Sequence, residues 1–301
     1  MSYDIDLLVS TDREVPTSEQ LKQAVHTMSL IEDGKPPKGY MWQLDYLNPD
    51  TGVTFAFRYQ PPPADCIQQR AWDTGLQISI PTTCPTFVAR EALPVVTEFC
   101  KKFELWLYLP SGEVLERYEA SQLLTTWVEI NKRTVSRTSN LPSKFQPFFF
   151  PQEKLDAMWR YLSARPALLK RYSSLGVYVP RVVLMRNKIN KRVVYRTAMW
   201  ADLEPSVIPD VDAFIINKPA KITFGRFPGG EYSPVFVLRD TIEAIIKPHM
   251  RHAERPIPHE LLENTRSLKL PIYKEMDKRL NFLLHDYETA NIEDTIDIAI
   301  E

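Results

Sequence analysis

Residues 75–110 read GLQISIPTTCPTFVAREALPVVTEFCKKFELWLYLP, and the stretch has the pattern strand, helix, strand. Leu76, Ile78 and Ile80 alternate with Gln77 and Ser79, the period-2 signature of a strand buried on one side. Phe87, Val88, Ala92, Val95, Val96, Phe99, Cys100 and Phe103 follow at helical spacing and make a broad apolar face. Pro94 interrupts that face, which predicts either a kink or a helix that restarts with Pro94 in its first turn. Residues 105–109 form a second strand, closed by the turn signal Pro110-Ser-Gly112.

Upstream of this unit, residues 3–10 read as a strand and Ser18 as the N-cap of a helix over 19–28. Residues 40–47 and 53–59 read as a hairpin around Asn48-Pro-Asp-Thr-Gly52. The order β-α-β-β-β-α-β predicts an α+β chain of two sheet-plus-helix domains. The first, residues 1–137, is expected to be ferredoxin-like (a split βαβ) with an added strand, its edge covered by a helix over 121–134.

Residues 138–150 read as a Pro/Phe linker whose three phenylalanines dock between the domains. The second domain, 151–285, is expected to hold helices at 152–164 and 167–173. A hairpin follows at 179–186 and 192–200, then a strand at 213–217, a turn at Pro228-Gly-Gly230 and a strand at 235–238. A helix at 239–246, an irregular stretch at 249–270 and a last helix at 272–284 complete it. Residues 286–301 are an acidic tail with six carboxylates and no Lys or Arg. Within it Ile296, Ile298 and Ile300 alternate as in a strand, to pair with the chain's own sheet, with a second copy, or not at all.

The chain has 301 residues and a formal net charge of −1, which hides an asymmetry. Residues 1–130 carry 10 basic and 18 acidic side chains, residues 131–200 carry 15 and 2, and residues 201–301 carry 12 and 18. The start lacks the pattern of a signal peptide, no apolar run approaches the ~20 residues of a membrane span, and three cysteines cannot all pair. Cys66, Cys84 and Cys100 therefore read as free thiols in a reducing cytoplasm. No Gly-rich phosphate loop, nucleophile elbow, zinc-protease or Cys-x-x-Cys motif occurs, which counts against the commonest enzyme classes. No cofactor is expected. His249-x-x-His252 and Asp210-x-Asp212 are the nearest approach to a metal site. Pro248, Pro256 and Pro258 break the helix a histidine pair would need, and an Asp pair beside a strand is ordinarily turn chemistry. Asp4-x-Asp6 repeats the same spacing.

The basic middle is the stronger clue. Arg192, Val194 and Arg196 project from one face of the expected hairpin, Lys188 and Lys191 stand at its turn, and Arg181 and Arg186 lie on the neighbouring strand. Three occupants compete for this surface: the chain's own acidic ends, an acidic polypeptide, and nucleic acid stacked on Tyr195, Trp200 and Phe224. A neutral chain with acidic ends argues against the last.

In length, two-domain layout, missing enzyme motifs and the acid-binding surface Arg181, Arg186, Arg192 and Arg196, the chain resembles the accessory peptide-binding proteins of crocagin biosynthesis, a pathway to ribosomally synthesised, modified peptides. GLQISIPTTCPTFVAREALPVV also resembles uncharacterised bacterial proteins of the toxin-immunity kind. The first resemblance implies a cytoplasmic, non-catalytic protein, a homodimer or a heterodimer with a related protein, that holds a precursor peptide for another enzyme. An extended ligand would pair with a sheet edge, the basic hairpin would read its carboxylates, and Trp200 and Phe224 would anchor apolar groups. The alternatives are an enzyme with a scattered site, metal-assisted around Asp210, Asp212 and His249, and a toxin-immunity protein.

Overall fold

The computed structural model describes every residue except 1, 63–66, 69, 139–147, 190–193, 220–231, 279–281, 293–294 and 299–301. The chain divides into two compact units, Met1–Gln152 with Ile292–Glu301, and Glu153–Asn291. Among the described residues the architecture is mixed α and β, and no helix is long and apolar enough to cross a membrane.

The first unit opens β1 (Ser2–Ser10), α1 (Ser18–His26), β2 (Ile31–Asp33), β3 (Trp42–Leu47), β4 (Thr54–Tyr59), β5 (Ile67–Gln68) and β6 (Ala71–Pro81). It continues α2 (Thr86–Lys102), β7 (Trp106–Tyr108), β8 (Val114–Leu115), α3 (Ala120–Thr138) and β9 (Phe148–Pro151). The main sheet runs β2-β3-β4-β6-β1-β7-β8, with β5 also on β6 and every neighbour antiparallel. One-sided burial explains the strands: Tyr3, Ile5 and Leu7 of β1 and Leu76, Ile78 and Ile80 of β6 are fully enclosed. Gly75 takes φ +74, and a Cβ there would collide with the Gln60 carbonyl oxygen, so the position requires glycine.

The opposite face is polar and laid flat. Register aligns Tyr108, Asp6, Gln77, Arg58 and Gln43 in one rung across five strands. Gln77 donates to Asp6 (2.8 Å), Arg58 to Gln43 (2.8 Å) and to Ser79 (3.0 Å), and Ser79 to Asp4 (2.7 Å). Burial, with Asp73 and Asp4 nearby, holds the Asp6 carboxyl above its ordinary value despite the Gln77 hydrogen bond. Asp4-x-Asp6 is thus a pair of strand side chains bonded to their cross-strand neighbours.

Helix α2 is a single helix that carries Pro94 inside it, and neither breaks nor restarts there. Its apolar face is enclosed over Phe87, Val88, Ala92, Val96, Phe99 and Cys100. Glu91, three residues before Pro94, accepts from Tyr46, Asn48 and Thr51 at 3.1, 2.8 and 3.0 Å and ties the β3–β4 turn to the helix. Helix α3 docks through Trp127 and Asn131, one turn apart. The indole donates to the Pro81 carbonyl (3.1 Å) and the amide to the Thr82 and Cys84 carbonyls (2.9 and 3.2 Å).

Of the expected linker, residues 139–147 lie outside the described set; Phe148–Pro151 is a strand, with Phe150 buried. The division between the two units falls after Gln152. The acidic tail is also split. Tyr287–Thr289 belongs to the second unit's sheet, whereas β19 (Thr295–Ile298) pairs in parallel with β9, with Ile296 enclosed. Helix α2 begins at Pro85 with no side-chain cap of its own. Asp297 supplies one, accepting the Thr86 N–H at 3.0 Å across 211 residues of sequence. Asp297→Ala is expected to cost about 1 kcal/mol of first-unit stability, measured as a lowered urea midpoint with unchanged slope.

The second unit contains α4 (Gln152–Tyr172), β10 (Val182–Asn187), β11 (Val194–Met199), β12 (Ser206–Ile208), β13 (Ala213–Pro219), β14 (Tyr232–Leu238) and α5 (Arg239–Ile246). Then come β15 (Arg251–Ala253), β16 (His259–Leu262), α6 (Lys269–Lys278), β17 (Phe282–Leu283) and β18 (Tyr287–Thr289). One sheet runs β17-β14-β13-β11-β10-β18, parallel between β11 and β13 and antiparallel elsewhere; the other runs β12-β16-β15. Three expectations are corrected. Helix α4 passes unbroken through Pro166, so 152–164 and 167–173 are one element. The last helix ends at Lys278, and residues 284–286 form a 3₁₀ turn. The stretch read as irregular, 249–270, holds β15 and β16.

Candidate binding groove in the second unit

Helix α4 repeats its inward side chains at helical spacing: Lys154, Ala157, Met158 and Tyr161 share a face. Opposite them stand the end of β12, the start of α5 and the β15–β16 pair. Together they enclose a cavity of about 450 Å³ with apolar walls from Met158, Tyr161, Val182, Ile208, Ile257 and Pro258. A more open hollow of about 730 Å³ adjoins it and shares Ala157, Asp210 and Arg239 as walls. The two form one groove, apolar at one end and charged at the other.

The charged end is a closed network. Arg196 is only 3% exposed; Nη2 and Nε lie 3.1 and 3.3 Å from the two Asp212 oxygens, and Nη1 lies 3.0 Å from Asp210 Oδ2. The backbone N–H of Arg196 and the ammonium of Lys154 complete the shell of Asp212, at 3.0 and 3.1 Å. Arg239 bridges Glu243 (2.6 Å) and Asp210 (3.8 Å), and donates to the Pro209 carbonyl at 3.1 Å. Burial pushes the Asp212 carboxyl up, but the Arg196 and Lys154 hydrogen bonds outweigh it, and its pKa is held below the ordinary carboxylate value. Arg196 is raised, its bonds to Asp212 and Asp210 outweighing burial.

At the apolar end His259 is buried with both ring nitrogens engaged. Nδ1 faces the Ile257 carbonyl (2.7 Å) and so carries the proton; in the neutral ring Nε2 then accepts the Tyr172 hydroxyl (2.7 Å). His252, on the rim, lies between Glu260 (3.0 Å) and Glu254 (3.1 Å), and the Glu260 bond raises its pKa.

Compared with known protein families, curated proteins and solved structures, this chain matches none.

The structure redistributes the residues that the sequence singled out. Arg196 is not on a basic surface; it lies beneath Asp210 and Asp212. Those two carboxylates, read as metal candidates, are its counter-ions. Trp200 is fully enclosed, donates to the Glu204 carbonyl (2.8 Å) and packs on Phe214, so it fills the core and offers no anchor. Arg186 pairs with Glu288 of β18 at 2.5 Å, which brings part of the acidic tail onto the basic strand. Arg181 is exposed immediately before β10, and Lys188 is exposed at the end of the hairpin strand. Lys191, Arg192 and Phe224 lie outside the described residues. His249 and His252 are not joined by further ligands; among the described residues no group of three His, Cys, Asp or Glu side chains could hold a metal ion. Cys84 and Cys100 are buried, Cys84 with its thiol on the Pro81 carbonyl (3.3 Å), and burial pushes the Cys100 thiol up, away from a nucleophilic thiolate. Cys66 is outside the described set.

Residues that the sequence did not single out carry the groove: Ala157, Met158, Tyr161, Ile208, Arg239 and Ile257. Their one legible signal was the i, i+3, i+4, i+7 spacing of α4, which reads equally as core.

Proposed function

We propose that this chain is a non-catalytic peptide-binding protein and that the groove of the second unit is where the peptide lies. The observation that carries this reading is the junction of an apolar cavity, large enough for one or two side chains, with a hollow lined by arginines and carboxylates. An extended peptide offers both an apolar side chain and charged or amide groups within a few ångströms, whereas a small apolar ligand would leave the charged end without a role. Arg196, Asp212 and Arg239 are bonded within one ion network, and His259 is held by Ile257 and Tyr172, which favours holding a ligand over transforming it. The resemblance to accessory proteins of ribosomal peptide natural-product pathways supplies the context: a cytoplasmic protein, paired with itself or a related chain, presenting a precursor peptide to an enzyme.

In the same reading the first unit is a ferredoxin-like split βαβ with added strands. The antiparallel order β7-β1-β6-β4, with α1 before β4 and α2 between β6 and β7, supports that assignment, and β3 and β2 extend the edge.

Anisotropy of labelled acidic–apolar peptides, against single-stranded RNA of equal charge and at two salt concentrations, tests the function. Peptide binding should saturate and survive added salt, and Ala157→Trp, which fills the junction and deletes no charged group, should weaken it at least about tenfold. Binding indifferent to that change, or binding of both ligands that collapses with salt, would remove the groove from the function.

A further inference from the structure

The two carboxylates on Arg196 are not equivalent. Asp212 is locked by four donors: Nε, Nη2 and the backbone N–H of Arg196, and Lys154. Among the described residues Asp210 accepts a hydrogen bond from Nη1 of Arg196 alone and stands 3.8 Å from Arg239, and its side chain is 74% exposed. The two arginines approach it from different sides, Arg196 toward Oδ2 and Arg239 toward Oδ1. Pro209 and Val211 on either side are buried, whereas the Asp210 side chain is exposed. It also lines both halves of the groove.

We propose that Arg196 and Arg239 form a carboxylate seat in the groove, filled in cis by Asp210 and taken over by a carboxylate of the bound peptide. The exchange keeps the charge balanced. One carboxylate leaves for water, where three quarters of it already is, and another arrives between the same two guanidinium groups. A buried arginine left with one N–H edge empty would be costly, so a cis occupant is what an unliganded groove of this kind needs. This deepens the peptide-binding reading, on which it rests, by naming the ligand chemistry: an acidic side chain or a C-terminal carboxylate beside an apolar residue.

The test is Asp210→Ala in the full chain, with Asp210→Asn as a second variant that keeps the side-chain shape. Thermal midpoints are compared in sodium acetate and in sodium chloride at equal ionic strength. Both variants should lose stability in chloride and regain it saturably in acetate, while the wild type responds to neither salt differently. If neither variant distinguishes acetate from chloride, there is no seat and Asp210 is an ordinary surface counter-ion. In the anisotropy assay a peptide bearing Glu with an amidated C-terminus, and one bearing Gln with a free C-terminus, separate the two sources of carboxylate. If Asp210 fills the seat nine-tenths of the time, its removal tightens the matching peptide about tenfold. Tightening of neither peptide, where both bind, would overturn takeover by the ligand. Acetate rescue without any peptide binding would leave the seat standing and remove the peptide function instead.

Discussion

Arg196→Met should cost the second unit about 3–5 kcal/mol, because it leaves Asp212 buried and short of its principal counter-ion. The loss would be read as a lowered urea midpoint for the transition that reports Trp200, the enclosed tryptophan of that unit. Asp212→Leu added to Arg196→Met should recover much of it, since a buried ion pair exchanged for apolar side chains of similar volume is often neutral. The pH dependence carries a sign that can be checked separately. In the wild type Asp212 is held below its unfolded value of about 3.9, so its contribution is complete above that pH and is lost as the pH falls through the folded value. Without the Arg196 side chain, burial, which raises Asp212, is opposed by the residue-196 backbone N–H and Lys154 alone, so the folded value moves up toward the unfolded one. The Asp212 contribution then shrinks, and the variant loses less stability than the wild type as the pH falls through the acid limb. A variant whose acid limb parallels the wild type would show that Asp212 does not depend on Arg196.

Trp127→Ala should cost the first unit about 3–5 kcal/mol. The indole is fully enclosed and its N–H holds the Pro81 carbonyl at the turn between β6 and α2. Truncation removes the largest side chain that α3 contributes to the core and leaves that carbonyl without its indole donor. Trp127→Phe fills most of the volume and loses only the hydrogen bond, so it should cost about 1–3 kcal/mol. The two variants, compared by chemical denaturation, separate packing from the polar contact. If Trp127→Ala and Trp127→Phe cost the same, the hydrogen bond and not the volume carries the docking of α3.

How far such features could be read in advance depended on how local their causes are. The strands β1, β4 and β6 alternate because one side of the sheet is covered by helices, and that cause is written every second residue. The apolar face of α2 is equally local, although Pro94 obscured its continuity: the helix forgoes one hydrogen bond, and the burial of Val96, Phe99 and Cys100 beyond the proline carries it through. The small sheet β12-β16-β15 was invisible because its strands are three or four residues long, the β15–β16 turn is crowded with prolines, and β12 pairs with β16 across some fifty residues of sequence. Arg196 was misplaced for the same kind of reason. Its neighbours Val194 and Ala198 fit a half-exposed strand, and only the acids fourteen and sixteen residues later make its burial tolerable. An arginine on an otherwise apolar strand followed by Asp-x-Asp is therefore a signal of a buried ion network as much as of a binding surface. The division of the tail between two units had no local trace either, since Glu288 and Asp297 differ only in what they meet.

That division bears on how the molecule is made. The segment that caps α2 and pairs with β9 leaves the ribosome only after the whole of the second unit has been synthesised. The first unit therefore cannot finish folding in the N-to-C order usual for multidomain chains. It must wait, with the first turn of α2 uncapped and the β9 edge open, until residues 295–298 have followed the later unit. A premature stop anywhere in the second half would release a first unit complete in its main sheet and yet lacking its closure.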